Sequence, residues 1–224
     1  MACMLKLTLL ALAITAMAKH CHASTEPKSP PSQKNGNPEE SGKNAFLMFW
    51  ETTQDAWKFS STDSMYHECY GQGRVAINDS GIYLIEFYFY INQMVYDEVA
   101  LWKVGAGNST YADNPYGRDI QSLVYHDPSY KCGVIERKQL WTHIQGSKEA
   151  EGLSCETVDN RYLCESITFH ELVVSDDLVT SVPTDCQQQY KHFIIKDLQE
   201  KKNDKKQYTH NCKLKKENVA REQH

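Results

Sequence analysis

The chain has 224 residues, with 24 Lys and Arg against 29 Asp and Glu and a formal net charge of −5 at neutral pH. A net acidic chain is a poor partner for nucleic acid, whose binding is driven by neutralising phosphates, and suits a cationic ligand better. Eight cysteines, at 3, 21, 69, 132, 155, 164, 186 and 212, read as a disulfide framework for an oxidising compartment.

Lys6 is followed by an apolar run from Leu7 to Met17, broken only by Thr8 and Thr15, and then by small residues. That is the pattern of a secretory signal peptide. It is too short to span a bilayer, and no later stretch approaches the roughly 20 apolar residues a transmembrane helix needs. The mature protein is therefore expected to be soluble, secreted and extracellular, with no membrane partner. Cleavage fits after Ala18 or after Ala23; the later cut leaves the last six cysteines, an even set, and gives a signal peptide of residues 1–23.

Residues 24–44 hold four prolines and almost no apolar side chain. Such a stretch buries too little surface to offset the entropy of ordering, and is expected to be a disordered N-terminal arm. A short helix is expected around Thr53 to Phe59. Asn78-Asp79-Ser80-Gly81 is a turn signal, and the Ile82–Ile91 run behind it is the richest β-propensity segment in the chain. Further strands are expected over Glu98–Val104, Ile120–Tyr125, part of Gly133–Ile144 and Ser166–Val174, separated by turn clusters such as Gly105–Asn108 and His126–Ser129. Short strands at close spacing indicate an antiparallel sandwich or barrel rather than alternating β and α units.

Pro183-Thr184-Asp185 signals the start of a second helix, in which Tyr190, Phe193, Ile194 and Leu198 fall at helical spacing and form one apolar stripe for packing on the outside of the sheet. Beyond it the chain is charge-rich. Cys212 is expected to pin it to the body, leaving residues 213–224 as a solvated charged tail.

Several of these features in order carry a family resemblance: Gln54-Asp55-Ala56-Trp57-Lys58 ahead of the first strand, Cys69 soon after, tyrosine-rich strands, and Val182-Pro183-Thr184-Asp185-Cys186 leading into a helix and a last cysteine. Over most of residues 46–212 the chain resembles the tick salivary lipocalins, the group that includes histamine-binding proteins. The resemblance implies an all-β fold, an eight-stranded antiparallel lipocalin-type barrel over residues 45–212 with a short N-terminal helix and a C-terminal α-helix. Eight strands leave an interior just wide enough for one small ligand. It further implies a salivary protein that evades host defence by sequestering a mediator, either an amine such as histamine or serotonin or a lipid, or by binding a host protein. The disulfide pairing it implies is Cys69 with Cys212, Cys132 with Cys186, and Cys155 with Cys164, whereas the sequence alone leaves every connectivity of six cysteines open. The Cys-Asp and Glu-Leu-Trp pattern of amine-binding members is present only in pieces, as Gln139-Leu140-Trp141 after Cys132 and Glu171-Leu172 after Cys164.

A protonated amine inside a barrel needs a carboxylate to neutralise it and aromatic faces around it. Side chains alternate along a strand, so Ile82, Leu84, Glu86, Tyr88 and Tyr90 share one face while Tyr83, Ile85, Phe87, Phe89 and Ile91 share the other. If the even face looks inward, the interior is polar and aromatic and suits an amine. If the odd face does, it is apolar and suits a lipid. The expected ligand-binding residues are Glu86, Tyr88, Tyr90, Trp102 and Trp141. Asp97 and Glu98 are weaker acids for a barrel mouth, and Trp57 is expected to plug the closed end. An anionic lipid would instead need a buried cation, for which Arg74, Arg118 and Arg137 are available.

Asn78-Asp79-Ser80 and Asn108-Ser109-Thr110 are N-glycosylation acceptor patterns in expected turns. No Gly-x-Ser-x-Gly occurs, and His67-Glu68 and His170-Glu171 lack the second histidine of a zincin helix, so neither an enzyme nor a cofactor or metal site is expected.

Overall fold

The computed structural model describes residues 43–65 and 67–222, with the side chains of Ser166 and of residues 217–222 outside that description. The expected signal peptide, and all of the expected arm before Lys43, lie outside the described residues.

Among the described residues eleven strands run in chain order: β1 (Asp55–Ser61), β2 (Glu68–Asn78), β3 (Gly81–Tyr90), β4 (Gln93–Tyr96), β5 (Ala100–Val104), β6 (Ser109–Asn114), β7 (Gly117–His126), β8 (Cys132–Thr142), β9 (Cys155–Val158), β10 (Arg161–Ser175) and β11 (Lys205–Lys206). Eight of them form a ring in the order β1-β2-β3-β5-β6-β7-β8-β10, all antiparallel, and pairing of β10 with β1 closes it. This is a closed, lipocalin-type barrel, and closure leaves no edge among the ring strands. The remaining three decorate it, β4 on β3, β9 on β10 and β11 on β1.

Strand direction separates the two ends. The β2–β3 turn at Asp79-Ser80, the loop after β5 and the loop after β7 lie at one end, and the segment between β1 and β2, the β3–β4 turn, the β6–β7 turn and the link after β8 lie at the other. At the tight β2–β3 turn Gly81 has φ +139°, and a Cβ there would meet the carbonyl of Trp102, so only glycine seats β5 this close.

The first end is shut by a helix, α1 (Ala45–Thr52). Asn44 caps it: its side-chain oxygen accepts from the backbone N–H of Phe46 at 2.9 Å and of Leu47 at 3.2 Å, while its amide donates to the carbonyls of Gly107 and Ser109. Phe46, Phe49 and Trp50 of α1 are buried against Ala56, Ile82, Leu84, Trp102, Leu123, Ile135 and Val173. The helix expected over Thr53–Phe59 is therefore corrected: those residues enter strand β1, and the helix lies eight residues earlier. Asn44, read as the end of a disordered arm, is the cap that makes this possible.

A second cluster covers one outer side of the ring. Helix α2 (Thr184–Phe193) and Ile194, the residue that joins it to α3 (Ile195–Gln199), lay Cys186, Tyr190 and the Ile194 side chain on Val134, Leu172 and Val174. Trp57 belongs here, not to the closed end: it packs on Phe87 and Tyr208 at centroid distances of 5.1 and 5.3 Å, and its indole N–H donates to Asp176 at 2.7 Å. The plug is α1, and Trp57, facing outward from β1, anchors the C-terminal segment.

That segment also differs from the solvated tail expected from residue 213. Residues 211–222 form helix α4 (Asn211–Glu222), and its lysines pair with acids of the barrel: Lys213 with Asp176 at 2.8 Å, Lys215 with Glu68 at 3.0 Å and Lys216 with Asp55 at 2.8 Å. The charges that read as solvated tail dock it instead. Among the described residues three disulfides brace the structure, Cys69–Cys212, Cys132–Cys186 and Cys155–Cys164. Among the described residues no helix is long and apolar enough to cross a membrane.

Candidate functional site in the barrel interior

Register decides which side chains enter the barrel. On β3, Ile82 and Leu84 contact the α1 plug, so the even face of the strand looks inward and Glu86 and Tyr88 follow it, while Phe87 faces the outer cluster. On β8, Ile135 and Arg137 look inward, and their cross-strand partners on β10, Glu171 and Phe169, share that face. Lys58 is opposite Val173 and enters from β1. On β7, Leu123, Gln121 and Asp119 form the inward row, with Thr110 and Ala112 of β6 beside the last two.

A charged layer sits above the apolar plug. Lys58 Nζ lies 3.0 Å from Glu171 Oε1, 4.0 Å from Glu86 Oε1 and 3.4 Å from the centroid of the Tyr70 ring. Arg137 Nη1 donates to Glu86 Oε1 at 3.2 Å, and its guanidinium carbon stands 5.8 Å from the Trp102 ring. Gln72 Nε2 donates to Glu86 Oε1 at 2.9 Å, and the Tyr70 hydroxyl donates to the other carboxylate oxygen. The side chains of Lys58 and Glu171 are 1% and 2% exposed and that of Glu86 18%, so the first pair is deep and Glu86 is the member reachable from the open end.

Electrostatics follow from this packing. Burial alone would raise the Glu86 pKa, but the charges of Arg137 and Lys58 and the hydrogen bonds from Tyr70 and Gln72 outweigh it and hold it at about 2. Burial lowers the Lys58 pKa despite Glu171 and Glu86. Arg137 stays charged, because the attraction of Glu86 more than offsets its own burial. Burial and the Glu86 charge push the Tyr70 phenol well up, so it remains a donor.

In the layer above the plug formal charge does not balance. Among the described inward residues there, Lys58 and Arg137 face three acids, Glu86, Glu171 and Asp119, while Arg74, inward opposite Leu84, lies at the plug and donates to the carbonyls of Trp50 and Glu51. Asp119 accepts from Asn114 Nδ2 at 3.1 Å through Oδ2, whereas its Oδ1 is buried with no hydrogen-bond partner among the described residues. Nearby, both amide atoms of Gln121, the Thr110 hydroxyl, Arg137 Nε and Trp102 Nε1 are likewise buried and unpartnered. Buried polar groups are ordinarily hydrogen-bonded, so a concentration of exceptions on the inward faces of neighbouring strands marks a place built for something that supplies the partners.

The expected ligand residues separate accordingly. Glu86 and Trp102 lie inside, Trp102 only 2% exposed. Tyr88 stands at the mouth, its ring 4.5 Å from His67, and it hydrogen-bonds Asp97, whose pKa burial and Glu86 raise. Tyr90 and Trp141, 55% and 51% exposed, occupy the rim and are not brought to the charged layer. Lys58, Tyr70, Gln72, Asp119, Gln121 and Glu171 were not legible as site residues. Asp119 and Gln121 fall two apart in a strand, a signal that reads equally well as a solvated face. The two glycosylation patterns lie at the closed end, where Asn78 and Asn108 are exposed and Asn108 Oδ1 accepts from Ala45 N–H at 3.1 Å.

No family model matches the chain, and no curated protein matches it in sequence. Among solved structures it is similar to the complex of AM182 with serotonin, at 12% identity over 75% of this chain and 91% of that one with a TM-score of 0.49. It is also similar to the siderocalin Ex-FABP, at 8% identity over 65% of this chain and 82% of that one with a TM-score of 0.42.

Proposed function

We propose that this protein is a secreted scavenger that holds a small biogenic amine inside its barrel, with Asp119 and Glu86 on the charged side of the site and Tyr70, Tyr88 and Trp102 around it. The observation that carries this reading is the charge of the layer above the plug: three acids against two cations, with one carboxylate oxygen of Asp119 buried and unpartnered. An ammonium group restores neutrality and supplies the missing donor, and a buried charge is tolerated when it is paired and hydrogen-bonded. Three disulfides support an oxidising, extracellular setting.

One observation favours a second reading, an anionic lipid mediator: Arg137 is buried on the inward face, and its Nε has no partner. Two features weigh against it. Arg137 already pairs with Glu86, and the closed end, where an acyl tail would go, is filled by Phe46, Phe49 and Trp50.

Calorimetric titration of the disulfide-intact protein with histamine, serotonin and an eicosanoid separates these. Binding of an amine, weakened at least about tenfold by Asp119→Asn through loss of a charge-assisted hydrogen bond, supports the proposal. Heat from the eicosanoid alone favours the lipid. No heat from any of the three, together with capture of a plasma protein, favours a protein-binding inhibitor.

A further inference from the structure

The barrel interior on the plug side of Asp119 carries polar groups that an ammonium alone does not use. Gln121 is fully buried, and neither its Oε1 nor its Nε2 has a partner among the described residues. Register places it directly between Thr110 of β6 and Arg137 of β8, on the inward face. Thr110 is also fully buried with its hydroxyl unpartnered, and Arg137 Nε completes a row of unsatisfied groups across three neighbouring strands. Trp102, beneath the Arg137 guanidinium, contributes an unpartnered indole N–H.

This row is rich in donors: the amide nitrogen of Gln121, Arg137 Nε and Trp102 Nε1 donate, the Thr110 hydroxyl donates or accepts, and Gln121 Oε1 accepts. A hydroxyl oxygen fits such a set, since it takes two donors and gives one proton. A second ammonium does not fit, having no acceptor and lying beside Arg137. Asp119 sits two residues from Gln121 on the same face of β7, which sets the two groups about 7 Å apart along the strand. That separation, lengthened by the reach of each side chain, matches an aromatic amine with its ammonium at Asp119 and a ring substituent at Gln121.

We propose that Gln121 and Thr110 set the specificity of the barrel by hydrogen-bonding a hydroxyl group on the ligand's aromatic ring, so that ring-hydroxylated amines are taken in preference to their unhydroxylated counterparts. The inference rests on the amine reading of the same interior. A site built to hydrogen-bond a hydroxyl rejects the analogue lacking it, because its own buried groups are then left unpaired.

The test is calorimetric titration of the intact protein with two matched pairs, serotonin against tryptamine and tyramine against phenethylamine. The hydroxylated member of each pair is expected to bind at least about tenfold more tightly, and the ratio to fall to within about twofold in Gln121→Leu. Thr110→Val, nearly isosteric, is expected to reduce the ratio as well, and it keeps the assignment testable if Gln121→Leu loses its cooperative thermal transition. Equal affinity for both members in the wild type overturns this inference while the amine reading stands. A preference undiminished in both variants overturns the assignment to these residues. No binding of any of the four amines overturns the amine reading and this inference together.

Discussion

Lys58 and Glu171 are the residues on which the interior depends most. Each is almost wholly buried and each is the other's nearest opposite charge, at 3.0 Å. Removing one partner of such a pair leaves an uncompensated buried charge. Lys58→Met is therefore expected to lower unfolding stability by about 3–5 kcal/mol in urea titration, and adding Glu171→Leu to recover much of the loss. Glu86 predicts a pH dependence. Its folded-state pKa of about 2 lies below the ordinary 4.5, so its stabilising contribution is fully present above about pH 4.5 and is lost as pH falls toward 2. Acid titration of the midpoint in wild type against Glu86→Gln isolates that component. The even face of β3 was legible as one of two alternatives, because alternation defines the faces but not which of them looks inward. What no pattern disclosed was that Glu86 meets two internal cations, since Lys58 and Arg137 reach it from strands far away in sequence.

At the scale of elements, the N-terminal helix lies before the segment expected to form it. The segment from Thr53 to Phe59 has a polar opening that suits a helix start, but its two aromatics, Trp57 and Phe59, are two residues apart as on one face of a strand, and Trp57 and Lys58 go to opposite sides, one outward and one into the barrel. The segment before it, Ala45–Thr52, is apolar on nearly all sides because it is a plug enclosed by the ring. Its closure is expected to be costly to disturb: Trp50→Ala should destabilise by about 3–5 kcal/mol. Asn44→Ala should cost about 1 kcal/mol through the cap, with a further loss from its bonds to Gly107 and Ser109. Thermal denaturation of both variants checks the ranking. The strands were more legible, since turn chemistry at Asn78–Gly81 and β-rich runs mark them locally. Two ring strands, β2 and β6, were not expected either, since Gly71, Gly73 and the polar Ser109–Asn114 run give them little β propensity of their own, and the short β4, β9 and β11 owe their existence to a neighbouring strand edge.

For the molecule as a whole, closure of the ring and the cross-links act at different ranges. Cys69–Cys212 joins residues 143 apart and ties helix α4 to the barrel, whereas Cys155–Cys164 joins residues 9 apart across one hairpin. Loop entropy then gives roughly 5 kcal/mol to the first and roughly 2.5 kcal/mol to the second, so replacing each pair by serine should lower stability in that order. Equal losses in calorimetric melting would show that docking of the C-terminal segment owes little to its disulfide. The eight-stranded ring was expected through family resemblance. Its two ends, one plugged and one open, and the excess of acid between them are products of register and could not be seen before the strands were paired.

That excess is the centre of the functional account, and a crystal structure of the protein with a bound aromatic amine tests it most directly. The account predicts the ammonium nitrogen inside the barrel, about 3 Å from Asp119 Oδ1. An amine seated on the rim or the loops, with the Asp119 carboxylate left unpaired, would contradict it.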